Sequence, residues 1–125
     1  MVATGSSFRR DRSYPIKQLS QEEAPLTKLA LYVELKAKPE RAGELAEFLA
    51  STQPLAQAET ETVAWFAIRF DQTTFGIFDA FNDEAGRQAH LAGRIAEALM
   101  SRAGELLAAM PEIRQPSVIA DKLPG

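Results

Sequence analysis

At 125 residues and 13.7 kDa the chain has room for one compact domain, and 46% apolar with 25% charged residues is the composition of an ordinary globular protein. Its longest apolar run, residues 63–68, is far shorter than a membrane span, and no basic stretch followed by an apolar core opens the chain as in a secretory signal. With no cysteine there are no disulfides, thiolate nucleophiles, thiolate metal sites or iron–sulfur clusters, and a net charge of −3 gives no footprint for nucleic acid. Composition thus points to a cytoplasmic protein with neither nucleic acid nor membrane as partner.

Residues 1–26 stand apart. They hold Gly5, Ser6, Ser7, the Arg9-Arg10-Asp11-Arg12 cluster, Pro15 and Pro25, with few aliphatics. They carry four basic and three acidic residues, against ten and fourteen in the remainder. This reads as a polar, flexible N-terminal extension ahead of a domain at 27–125. Asp11 and the lack of an amphipathic pattern argue against a transit peptide.

In the domain, Leu29, Leu31, Val33 and Leu35 alternate with Ala30, Tyr32, Glu34 and Lys36, the period of a strand. Pro39 suits a helix first turn, and Ala42, Leu45, Phe48 and Leu49 share one helical face up to Pro54, which ends or kinks the helix. Residues 62–70 read as a second strand, 71–73 as a short hairpin loop and 74–81 as a third strand. Asn82 or Asp83 caps a helix running to Gly93, and helix continues over 94–109 until Pro111. Gly86 and Gly104 inside these helices suggest close packing or a kink. Residues 118–123 read as the last strand. The order βαββαβ predicts an α+β, ferredoxin-like fold, a four-stranded antiparallel sheet with helices on one face.

Strands two and three are apolar on both sides. Val63, Trp65 and Ala67 lie on one face of strand two, and Ala64, Phe66, Ile68 and Phe70 on the other. Helices cover only one face, so the second needs a partner, and a homodimer packed sheet on sheet is the simplest solution.

The stretches LYVELKAKPERAGELAEFL, TVAWFAIR and FGIFDAFNDEAGRQAHLAG resemble the antibiotic biosynthesis monooxygenase family over roughly residues 28–123. The resemblance rests on Lys38-Pro39 after strand one, on Asp79 and Phe81 late in strand three, and on a helix carrying His90. It implies a dimeric α/β barrel that oxidises a small aromatic, quinol or anthrone-like substrate with dioxygen and no cofactor. Such chemistry needs a dry aromatic pocket, a base, and a group that stabilises the substrate anion.

His90, the single histidine, is the candidate base, or else a pocket-wall residue without chemistry. Trp65 can stack on a flat substrate or belong to the core, and Phe81 adds a second aromatic wall. Tyr32 can donate its hydroxyl to a substrate oxygen or bond a backbone group at the dimer interface. Asp79 sits between Ile77 and Phe81 and needs a partner among Arg69, Arg114, Lys36 and His90. It then serves either as catalytic partner of His90 or as a structural ion pair, and Glu34 raises the same question. One histidine and no cysteine leave no metal site in view, and the scattered glycines form no phosphate loop.

Heme-cleaving relatives of this barrel carry a first-strand asparagine, a helix tryptophan and a ligand histidine about ten residues on. Here the single asparagine is Asn82, the helix has His90, and Met100 stands at the ligand position, so that triad is not formed. Two alternatives share the fold: a non-catalytic or stress-associated barrel holding a small hydrophobic ligand, and a proton-transfer isomerase or decarboxylase.

Overall fold

A computed structural model of the protein describes residues 27–124; the extension expected at 1–26 lies outside the described residues. Strand β1 (Leu29–Lys36) leads through a 3₁₀ turn (Pro39–Arg41) into helix α1 (Ala42–Ser51) and a short helix α2 (Gln53–Ala58). The hairpin β2 (Thr62–Arg69) and β3 (Thr74–Phe81) follows, then α3 (Glu84–Leu91), α4 (Arg94–Leu106) and a three-residue strand β4 (Glu112–Arg114). The sheet order is β2-β3-β1-β4 with every pairing antiparallel, which is the ferredoxin-like α+β arrangement.

Three boundaries differ from the sequence expectation, one being the end of α4, which stops at Leu106 rather than 109 because the Ala108 N–H already donates to the Lys36 carbonyl of β1 at 2.8 Å. The helix entered at Pro39 breaks at Thr52, whose hydroxyl and N–H both turn back to the Leu49 carbonyl. Pro54 does not end it, because it falls in the first turn of α2, where a missing N–H costs nothing. The last strand is at 112–114, not 118–123. Residues 112–114 pair with Tyr32–Glu34 of β1, and the ladder is interrupted at Pro116, which has no N–H to give. Pairing beyond it survives only as single contacts, from Ala30 N to Pro116 O at 2.9 Å and from Val118 N to Lys28 O at 2.8 Å.

The main core lies between the sheet and helices α1 and α4. Leu35, Phe75 and Ile77 from β1 and β3 meet Leu45 and Leu49 of α1 and Leu99 and Leu106 of α4. Charged residues tie the same two helices together on the outside, with Arg41 and Arg102 each bound to both Glu44 and Glu105. On the opposite face of the sheet no helix packs among the described residues. There Phe66 and Phe70 are more than half exposed, and the rings of Tyr32 and Phe70 meet edge to face over Gly76, where a Cβ would stand 2.9 Å from the Tyr32 ring. The expectation of close packing holds at Gly86, whose Cβ would stand 3.2 Å from the Glu61 carbonyl. It fails at Gly104, where a Cβ would meet nothing.

Leu45 is fully buried at the centre of this core. Leu45→Ala is expected to cost about 2–5 kcal/mol in urea unfolding, and a loss below about 1 kcal/mol contradicts the packing described.

Candidate functional site

The site is set by α3. Asp83 caps it, its carboxylate accepting the Gly86 N–H at 2.9 Å. Its inward face is Gly86, Arg87 and His90, polar rather than apolar, so ordinary helical periodicity does not mark it. Gly86 lets the helix approach the Glu61 backbone, and Arg87 reaches across to β1 and the C-terminal segment. The Arg87 guanidinium donates to the carbonyls of Ala30 at 3.2 Å and Pro116 at 3.4 Å. Seated this way, α3 directs His90 at the sheet.

There His90 meets Asp79. The carboxylate faces the same side of β3 as Ile77 and Phe81 and is 1% exposed, and its Oδ2 stands 2.8 Å from His90 Nε2. Of the four partners considered for Asp79, His90 is the one it has. Arg69 donates to the Asp71 and Gln72 carbonyls, Lys36 pairs with Glu34, and Arg114 lies by Glu112. Phe81 packs its ring on the imidazole, centroids 5.5 Å apart.

The second ring nitrogen is also taken. His90 Nδ1 lies 2.6 Å from Oε1 of Glu59, in the loop after α2, and the Thr62 hydroxyl donates to that same oxygen at 2.7 Å. The sequence reading missed Glu59. It lies 31 residues from His90 and follows a six-residue helix with one buried side chain, so no periodicity points to it.

A histidine between two carboxylates is an imidazolium. Burial pulls its pKa down, but the close contact and charge of Asp79, then the hydrogen bond and charge of Glu59, outweigh this and push it up to about 9. Burial raises the Asp79 carboxyl, the His90 charge opposes that rise, and Glu59 adds to it. The Asp79–His90 contact is a charge pair rather than an aligned hydrogen bond, and neither Asp79 oxygen has a hydrogen-bond partner among the described residues. Trp65, the register partner of Asp79 on β2, likewise buries an unpartnered Nε1.

Two cavities flank this arrangement. His90 and Glu59 line one of about 380 Å³, with Thr62, Gly93 and Arg94 around them. Trp65 lines another of about 490 Å³, with Leu49, Arg69 and Phe75. The structure therefore brings His90, Asp79 and Phe81 together and does not bring Trp65 into the His90 cavity. Tyr32 is on the far face of the sheet, its hydroxyl 3.4 Å from Glu34 and its pKa raised, by desolvation first and then by Glu34. Asp79 and Glu59 hold opposite nitrogens of one ring and converge on no common point. Among the described residues no group of three His, Cys, Asp or Glu is placed to hold a metal ion, and no helix is long and apolar enough to cross a membrane.

No protein-family model matches the chain, and no curated protein matches it. Among solved structures it is similar to a protein of unknown function from Nitrosomonas europaea, at 58% identity and a TM-score of 0.79, over 80% of this chain and 97% of that one. A candidate antibiotic biosynthesis monooxygenase from the same organism aligns at 12% identity and a TM-score of 0.67, covering 73% of this chain and 98% of that one. Another from Caulobacter crescentus aligns at 12% identity and a TM-score of 0.66, covering 82% and 98%.

The histidine charge has a measurable consequence. A pKa of about 9 in the fold against about 6.5 unfolded means that folding takes up a proton between those values. The His90 contribution to stability is complete below pH 6.5 and is lost as pH rises through 9. NMR titration of the single histidine is expected to place its midpoint near 9, and a midpoint at or below 6.5 contradicts the two-carboxylate arrangement.

Proposed function

This chain belongs to the family of the Nitrosomonas europaea protein of unknown function, on the fold of the antibiotic biosynthesis monooxygenases, and we propose that it is a homodimeric, cofactor-independent monooxygenase of a small aromatic, quinol or anthrone-like compound. The observation that carries the reading is the chain Asp79–His90–Glu59. It is anchored in the sheet at one end and opens at the other on a cavity that suits one or two aromatic rings. His90 is its cationic centre and Asp79 the partner that holds it.

A substrate that gives up a proton at this site becomes an electron-rich anion next to a fixed positive charge. That anion passes electrons to dioxygen. In an anthrone-like substrate a CH₂ carbon becomes a carbonyl; one oxygen atom is retained there and the other leaves as water, the substrate supplying all four electrons. The half-exposed aromatic face with Phe66 and Phe70 supports the homodimer, sheet against sheet. The absence of cysteine suits a cytoplasmic location.

A second reading follows from the occupancy of both ring nitrogens. A histidine already paired on both sides also suits a barrel that holds a small hydrophobic ligand without acting on it. Oxygen dependence separates the oxygenase from an isomerase or decarboxylase on the same residues.

Protein stripped of metal and offered dihydronaphthoquinols and anthrones is expected to take up oxygen above the autoxidation rate. His90→Ala is expected to cut that rate by about 10²–10⁴ while ligand binding persists. An unchanged rate removes His90 from the chemistry, and no uptake across the panel favours the binding barrel. Sedimentation at micromolar concentration is expected to show a dimer that Phe66→Asp dissociates; a wild-type monomer refutes the sheet-to-sheet pairing.

A further inference from the structure

The two oxygens of Glu59 have different surroundings. Oε1 is occupied, by His90 Nδ1 at 2.6 Å and by the Thr62 hydroxyl at 2.7 Å. Oε2 accepts no hydrogen bond among the described residues. Room for it is left by Gly93, where a Cβ would stand 3.3 Å from Oε2, and Gly93 itself lines the 380 Å³ cavity. Exposure falls along the chain from Glu59 at 21% to His90 at 8% and Asp79 at 1%. A ligand entering the cavity therefore meets Glu59 first, and the open oxygen of that carboxylate is the one not already satisfied.

We propose that Oε2 of Glu59 is the atom that receives the substrate's proton, and that the proton comes from a hydroxyl, so that the cavity takes a hydroxyarene with its O–H directed at Oε2. The inference rests on the reading that the cavity beside His90 is the reaction site. A carboxylate is suited to an O–H donor, with which it makes a short, charge-assisted hydrogen bond; a C–H donor gains little from it. In the transfer the O–H bond breaks, its electron pair stays on the ligand oxygen, and a new O–H bond forms at Oε2. Negative charge moves from Glu59 to the ligand, while the His90 ring stays anchored to Asp79 and keeps its proton. The remaining charged groups lining the cavity are Glu61 and Arg94, neither held in an ion pair among the described residues. Arg94 favours the ligand anion and Glu61 opposes it, so the His90 charge is the contribution they leave uncancelled.

The test compares 2-naphthol with 2-methoxynaphthalene, the same rings without the donor, by calorimetric titration of the full chain and of Glu59→Gln. The amide of Glu59→Gln still offers an oxygen to His90 and Thr62 but puts a donor in place of Oε2. Wild-type protein is expected to prefer the naphthol by about 10–100-fold, the range of a hydrogen bond to a charged group, and Glu59→Gln to bind the two equally. Equal binding by the wild type, no binding of the naphthol at millimolar concentration, or a preference that survives in Glu59→Gln each overturns the proposal. The wild-type comparison stands alone should the variant fail to fold. A failed monooxygenase reading is recognisable separately, as no oxygen uptake with the hydroxyl preference intact. A failed assignment of Glu59 appears as oxygen uptake that Glu59→Gln retains.

Discussion

A carboxylate buried on the apolar face of a central strand is the constraint around which this molecule is arranged. Asp79 pairs across the sheet with Leu31 on one side and Trp65 on the other, in a setting where an uncompensated charge costs several kcal/mol. The compensation comes from α3. That helix turns Gly86, Arg87 and His90 inward, a combination that would not seat on an ordinary apolar sheet. It seats here because both side chains find fixed partners: His90 finds Asp79, and the Arg87 terminal nitrogens find two backbone carbonyls and Glu84. The position of α3 is thus set by directional polar contacts, where α1 and α4 are set by close-packed leucines.

This division of labour explains how a small domain supports a charged interior. The apolar core under α1 and α4 occupies one end of the covered face, around Leu35, Phe75 and Ile77. The polar centre occupies the other end, around Asp79 and Phe81, beneath the shorter helix. Glu59 comes from a third direction, the loop between α2 and β2, so three separate elements meet at one imidazole. A shift of α2 or α3 by an ångström would break a contact of 2.6 or 2.8 Å, which makes the ion chain a fastener of the fold.

What was legible in the sequence follows the same physics. Strand β1 was readable from its alternation, and β2 and β3 as short runs of β-branched, aromatic and apolar residues joined by a polar hairpin loop. The Asp79–His90 pairing was readable as a candidate because one charge in an apolar strand must find a counter-charge and the chain has one histidine. Glu59 was not, since it is held by geometry between elements rather than by a pattern within one. The final strand was misplaced because Val118 and Ile119 have strand chemistry, whereas pairing actually starts at Glu112, as soon as α4 releases the chain beside β1. Trp65 was read either as a wall for a flat substrate or as core; it shares a face with Asp79 but lies on the edge strand β2, packs against the main core and lines the cavity next to α1.

The second carboxylate decides what the histidine can do. With Asp79 alone, His90 would be an imidazole with one free nitrogen facing the cavity, the usual form of a neutral-pH base. Adding Glu59 fills that nitrogen and helps hold the ring protonated up to about pH 9. A ring in that state has no lone pair to offer, but it carries a permanent charge and fixes the orientation of the carboxylate in front of it. In the proposed reaction the acceptor is thereby moved one residue outward, from a side chain that is 8% exposed to one that is 21% exposed, while the positive charge stays behind it. Developing negative charge on a ligand at that wall then faces a preorganised cation whose own counter-charge, Asp79, is on the far side of the ring. That is the arrangement in which an electrostatic contribution requires no reorganisation when the proton moves.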